Sequence, residues 1–408
     1  MTPHQIFSKE LRDLFIYILR RSTFRPPLKI NGDIVSDFTS RCDRFSECLN
    51  EYIKSKDNLA SEKIQKRLST ISRIQKGITE SLKAFLSGDI KSAYDIFDEM
   101  LSNPVIYRHI IKISIPLNEI CNENKPLFRV RKSEKPISTR KEIFHIPFTH
   151  RHLVNAQRYS VAGLPCLYLG SSLYICWQEM GKPDFDKLYL SSFISWDYES
   201  QILNLAAEFL YSRSARGFYG EIDNNDNLVK LSYLTLWPLI IACNYLKQND
   251  DAPFNPEYII PNLLMQWISR LENRPIVGIA YRSTKLTKTS STLRATNVVL
   301  PPKVSYEDTV SKPFCKKLSS MFEFTQPVSW QVLKTLDYKI DGELNEEQQK
   351  AMKVLERKER IVGISDLNED LINLYPLTDF YKLEQCMDRL LQYASIEIKV
   401  GGTLAAEQ

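Results

Sequence analysis

Glycine is scarce in this chain, 13 of 408 residues, and none of it forms a GxGxxG or GxxxxGK[S/T] pattern. A backbone that closes tightly around nucleotide phosphates needs such glycines. Rossmann dehydrogenases and P-loop NTPases are therefore excluded. A GxSxG elbow is also missing, which sets aside the α/β-hydrolases. There are only five histidines, and the eight cysteines (42, 48, 121, 166, 176, 243, 315, 386) contain no CxxC pair. That spacing argues against a zinc ribbon or a disulfide framework and for reduced, buried thiols in a cytoplasmic protein. Long apolar runs are lacking too. The longest, residues 233–246, is broken by Pro238 and Asn244 and is too short to span a bilayer. The first residues show no charged-then-apolar leader, so no signal peptide is expected. The net charge of +5 is dispersed, with no basic stripe interleaved with aromatics, so the chain carries no strong nucleic-acid footprint.

What is present is ample apolar material, 43% of residues, enough for a sizeable core in two or three domains. Residues 1–118 read as all-helical. Ile6, Leu11, Leu14, Phe15 and Ile18 share one helical face. Residues 58–86 read as one long helix. Ile64, Ile71, Ile78 and Phe85 recur every seven residues, Leu68 and Leu82 fill the second seam position, and Gln75 is its polar exception. Such a seam suits an intramolecular bundle or an intermolecular coiled coil, and the bundle is favoured. Ser87-Gly88-Asp89 ends that helix, with Asp89 capping the next.

The texture changes between Pro116 and Pro126. Short β-rich stretches follow at 127–131, 164–169, 187–195, 275–281 and 296–300, with helices over 171–180, 229–247 and 257–271. Interleaved strands and helices point to an α+β domain over 125–310. A helical C-terminal extension, 311–408, contains helices at 346–358 and 378–392 and a last strand at 396–400. The closing GGTLAAEQ reads as a flexible tail.

Three residues in the α+β segment stand at the ends of apolar stretches: Arg129 in LFRVR, Glu179 in YICWQEMG and Ser283 in GIAYRSTK. Singly, each reads as a surface charge, a solvated helix residue or a turn hydroxyl. Their order, with NAQRYSVAGLPCLYLGSS between the first two and NVVLPP after the third, resembles the RES family over residues 125–302. That family is named for the same Arg, Glu and Ser. The N-terminal helices resemble the HEPN-like module often fused to it.

The resemblance implies an ADP-ribosyltransferase-like fold, with NAD+ as substrate pinched between two small sheets, and no metal. It implies cleavage of the nicotinamide–ribose bond by hydrolysis or phosphorolysis. The setting would be a toxin–antitoxin or phage-defence system, the protein a homodimer, with an antitoxin or sensor as partner. Transfer of ADP-ribose to a protein is the alternative enzyme reading. A non-catalytic assembly or sensing protein with a degenerate RES domain is the alternative of another class. The chemistry suits the residues. A guanidinium holds a pyrophosphate bidentately, and a carboxylate beside the ribose stabilises an oxocarbenium-like state. Arg129, Glu179 and Ser283 are the catalytic candidates. Arg129, Arg131, Arg158, Tyr159, Tyr168 and Ser283 are the substrate-binding candidates. Where many family members carry Gly-Gly-Arg-Trp, this chain has Ala156-Gln157-Arg158-Tyr159.

Two further patterns are read as incidental. His150 and His152 would share a strand face but lack the companions a metal site needs. Arg140 and His145 match the R-x4-H spacing of HEPN nucleases but fall outside the N-terminal helices.

Overall fold

The computed structural model describes residues 2–207, 210, 226–249, 252–270, 275–285, 295–335, 344–358 and 374–396. The expected strand at 396–400, apart from Ile396, and the GGTLAAEQ tail lie outside them. The architecture is a mixed α+β fold: a helix-rich N-terminal region followed by a mixed sheet with helices on its faces.

Six helices open the chain: α1 (Pro3–Leu19), α2 (Ile34–Ser55), α3 (Leu59–Gln65), α4 (Leu68–Leu86), α5 (Ile90–Ser102) and α6 (Pro104–Ile113); α7 (Leu117–Ile120) and α8 (Arg140–Ile143) are single turns that follow. The long helix expected over 58–86 is two, broken at Lys66 and Arg67. The heptad seam runs across the break and is intramolecular. Ile64, Ile71, Ile78 and Leu82 are fully buried, and Leu68 and Phe85 pack against the same core. α4 packs closely on α5, where a Cβ at Gly77 would lie 2.6 Å from the Met100 Sδ. Gln75 escapes the seam by donating to the Asp43 Oδ1 of α2 at 2.7 Å. Asp89 caps α5 through the Ser92 amide, as expected. On α1, Leu11, Leu14, Phe15 and Ile18 are buried, but Ile6 is exposed. Periodicity assigns a face to the helix, whereas burial also requires a neighbour over each turn.

The apolar run 233–246 does not form one helix. Pro238 starts a new one, giving Asn227–Thr235 and Trp237–Cys243. Its ring removes an amide donor and clashes with the preceding turn, so the axis must restart there. Together with Ile259–Ser269, these helices share one hydrophobic core with α1–α6. Trp237 stacks on Phe45 of α2 at 5.6 Å inside it. Among the described residues, no helix is long and apolar enough to cross a membrane.

The sheet follows the order β1-β5-β6-β7-β3-β2-β4-β8, with β9 also on β4. The strands are β1 (Ser114–Pro116), β2 (Leu127–Lys132), β3 (Leu167–Gly170), β4 (Leu188–Ile194), β5 (Gln201–Asn204), β6 (Ile276–Arg282), β7 (Thr296–Leu300), β8 (Glu323–Phe324) and β9 (Val328–Ser329). Among these described strands only the β5–β6 pair is parallel. β1, β5, β8 and β9 carried no sequence expectation, being only two to four residues long, and β8 and β9 add strand to an extension expected to be helical. Instead of two separate small sheets, the strands form one path that narrows at a single register pair, Phe128 with Gly170. One face carries the large helical core. The other face carries a second cluster around Phe144 and Phe324, and a third, around Trp330 and Phe380, joins Phe128 and residues 173–175 to the C-terminal helices.

Candidate functional site

The site forms at that narrow joint. β6 and β7 pair antiparallel with Tyr281 opposite Asn297, and the Ser283 amide donates to the Ala295 carbonyl at 2.8 Å. Side chains two apart along a strand share a face, so Tyr281 and Ser283 stand on one side, with Asn297 across from them. In the next ladder Gly170 of β3 lies opposite Asn297. Its missing side chain lets the helix α9 (Leu173–Glu179) settle onto the sheet: a Cβ there would meet the Cys176 Sγ at 2.6 Å. Ser172 caps α9 through the Ile175 amide. Gly181, with φ +80°, ends the helix two residues after Glu179. Glu179 is thus held at the helix end, above Ser283 and Asn297.

There the carboxylate is clamped. Oε1 of Glu179 accepts from the Ser283 Oγ at 2.5 Å and from the Asn297 Nδ2 at 2.7 Å. Both donors are buried, while Glu179 keeps part of its surface open to solvent. Oε2 takes no hydrogen bond from the described residues. Two donors on one oxygen fix the orientation of the carboxylate.

An aromatic wall stands beside the carboxylate. Tyr281 and Tyr159 rings are 4.6 Å apart. The Tyr168 hydroxyl donates to the Tyr159 carbonyl at 3.2 Å. Burial pushes the Tyr281 hydroxyl well above its ordinary pKa, with the Glu179 carboxylate adding to the rise. Burial likewise raises Tyr258, again with a contribution from Glu179. Both phenols stay protonated and able to donate at neutral pH. Tyr159 adopts φ +59°, a left-handed backbone that an aromatic residue rarely takes. Such outliers persist where surrounding contacts over-determine them.

The candidate arginines behave differently from one another. Arg129 is partly buried and donates from Nη1 to the Tyr168 carbonyl at 2.9 Å, while its Nε has no partner among the described residues. No carboxylate pairs with it among the described residues. Burial, then the adjacent Arg131, pushes its pKa down to about 10, so it remains a cation at neutral pH. An uncompensated, largely desolvated cation is costly and is well suited to take up an anion. Arg129 does not touch Glu179 or Ser283; the Cys176 thiol feels the charges of both Arg129 and Glu179. Arg131 gives its guanidinium to the Glu142 carbonyl. Arg158 is buried and spends its donors on the Cys243 and Tyr245 carbonyls at 3.1 and 2.5 Å, stacked over the Tyr258 ring. That geometry makes it a clasp between the 158–160 loop and the helix Trp237–Cys243.

No family model matches the chain. No solved structure matches it. It is similar to a Bacillus subtilis (strain 168) protein named "Putative toxin YopC". The two are 29% identical over 301 residues, which cover 72% of this chain and 67% of that protein.

Asn297 was missed in the sequence. Its only signal was a polar residue opening the apolar strand TNVVL, and its importance depends on register. Arg140 and His145 do not form a pair. Arg140 donates to the Phe324 and Gln392 carbonyls, and the His145 Nε2 accepts the Cys315 amide at 3.0 Å. His150 and His152 lie on a short 3-10 turn rather than a strand, with rings 6.0 Å apart. Among the described residues, no group of three or more His, Cys, Asp or Glu could hold a metal. Two clefts lie elsewhere. One, of about 590 Å³, sits between α2 and α4 and is lined by Asp43, Arg44 and Lys83. The other, of about 400 Å³, lies beside Lys303 and Lys316. Neither is lined by a carboxylate clamped as Glu179 is, so chemistry selects the Glu179 site.

Proposed function

We propose that this chain is an NAD+-consuming effector of the toxin kind, related to the RES family, that cleaves the bond between nicotinamide and ribose. The observation that carries the reading is the Glu179 carboxylate, clamped on one oxygen by Ser283 and Asn297, with its other oxygen taking no hydrogen bond from the described residues. In NAD+ the leaving nitrogen is already cationic. When the C–N bond breaks, its electron pair returns to the ring and nicotinamide departs neutral, so no general acid is needed. The positive charge moves to the ribose as an oxocarbenium-like species. A fixed carboxylate beside that carbon stabilises the charge more than it stabilises the ground state. Water or phosphate then adds to the same carbon. Tyr281, backed by the fully buried Tyr159 ring, forms a rigid apolar floor beside the carboxylate. Arg129, a cation without a protein carboxylate, suits the pyrophosphate. The resemblance to a toxin-named protein agrees with an effector role.

The test is to incubate the full chain with NAD+ and quantify free nicotinamide in phosphate and in phosphate-free buffer. Release that is abolished by Glu179→Gln supports the reading. Release that survives in the variant overturns the site. Label transfer from NAD+ onto protein, with little free ADP-ribose, moves the activity to ADP-ribosylation.

A further inference from the structure

The helix that carries Glu179 is only seven residues long. A helix of this length is not stable by itself and takes its position from its neighbours. One neighbour comes from more than two hundred residues further along the chain. The Glu384 Oε1, on the helix Asp379–Leu390, accepts the amide of Leu173, the first residue of α9, at 2.7 Å. The Tyr375 hydroxyl donates to the same oxygen. Glu384 is 5% exposed, an unusual burial for a carboxylate, and both bonds anchor it.

The rest of the contact is aromatic. The Tyr174 ring meets Phe380 edge-on at 5.4 Å, and Trp177 lies 5.8 Å from Phe380 and stacks on Phe185 at 5.1 Å. On the opposite side α9 is pressed to the sheet at Gly170. α9 is therefore gripped between the sheet and the C-terminal extension, with Glu179 at its free end.

We infer that Glu384 is a positioning residue for Glu179, and that the C-terminal extension is a working part of the site. Glu384 touches no substrate. It fixes the start of α9, and through that short rigid helix it fixes where the Glu179 carboxylate stands relative to Ser283 and Asn297. A displacement of about 1 Å at a reacting group can cost on the order of 10²-fold in rate. The inference rests on the proposed role of Glu179, and its test separates the two.

The experiment compares wild type, Glu384→Ala, Glu384→Gln and Tyr375→Phe by hydrogen exchange and by nicotinamide release. Gln keeps an acceptor oxygen for both donors; Ala removes it. For Glu384→Ala, exchange in residues 173–181 rises about 10-fold or more while α4 is unchanged, and kcat falls about 10- to 100-fold with KM within about threefold. Glu384→Gln restores both to within about threefold of wild type. Tyr375→Phe shifts both in the same direction by about threefold, and it carries the test if the Ala variant does not fold. Unchanged exchange in 173–181, or loosened exchange with wild-type turnover, overturns the inference. If wild type itself releases no nicotinamide, the proposed function fails, while the exchange arm still decides whether Glu384 holds α9.

Discussion

In the helical layer Ile71, Ile74, Ile78 and Leu82 are sealed into one continuous apolar core. At the sheet joint Glu179, Ser283 and Asn297 meet through polar atoms, and the carboxylate stays partly open. The first region gains its free energy from area removed from water and is indifferent to which atom touches which. The second depends on a few directed bonds, and its worth lies in geometry rather than in stability. A change in one region should therefore register in a quantity that the other hardly moves.

The largest expected effect belongs to the helical layer. Ile78→Ala leaves a cavity beside a fully buried position and should lower unfolding stability by about 3–4 kcal/mol in a denaturant titration. Turnover per folded molecule should stay near wild type. A drop in turnover at unchanged stability would erase the distinction between the regions. The seam is intramolecular, so this variant should act on stability and not on a surface contact between copies.

The next effect concerns His145, in the core on the opposite face of the sheet. Burial, aided by the Arg129 cation, holds its pKa down at about 4. Its Nδ1 faces the Ile146 carbonyl and its Nε2 accepts the Cys315 amide, with Phe144, Phe148 and Phe314 around the ring. The folded pKa lies below the unfolded one, so the unfolded chain binds the extra proton. The stability is present above about pH 6.5 and is lost as pH falls towards 4, by up to on the order of 3 kcal/mol. Denaturant midpoints at pH 7 and pH 4.5 should show the loss, and His145→Asn should flatten it. Equal slopes in both proteins would rule His145 out as its source.

At the site, Glu179→Gln should reduce nicotinamide release by about 10²-fold with the melting temperature within a few degrees of wild type. This result would sharpen the comparison most, because it alters function while leaving packing in place. A smaller effect separates the two arginines. Arg129→Ala should weaken NAD+ binding by about 10-fold in calorimetry, and Arg131→Ala by less, because Arg129 is the one whose pKa desolvation lowers, with no carboxylate beside it among the described residues. A larger loss at Arg131 would move the anion site two residues along β2.

How much was legible in advance follows the same division. The heptad seam, the Asp89 cap and the five main strands could be read because periodicity and capping are local properties of the chain. Ser172 emerged as the cap of α9 from the Ser171/Ser172 alternative. The break at Lys66 and Arg67 and the exposure of Ile6 could not be read, since both depend on which neighbours cover each turn.

The sequence by itself determined the alternation of helix and strand, the lack of phosphate-binding glycine loops, and the order of Arg129, Glu179 and Ser283. Tertiary structure alone decided that Glu179 and Ser283 share a hydrogen bond, that Asn297 joins them, and that Arg129 stands apart at the joint of β2 and β3. It also turned Arg158 onto backbone carbonyls and brought Glu384 to the start of α9. The physical reason is range. Propensity, capping and amphipathic period act over a few residues, whereas these bonds join positions 39 to 211 residues apart and exist only once register and helix docking are fixed.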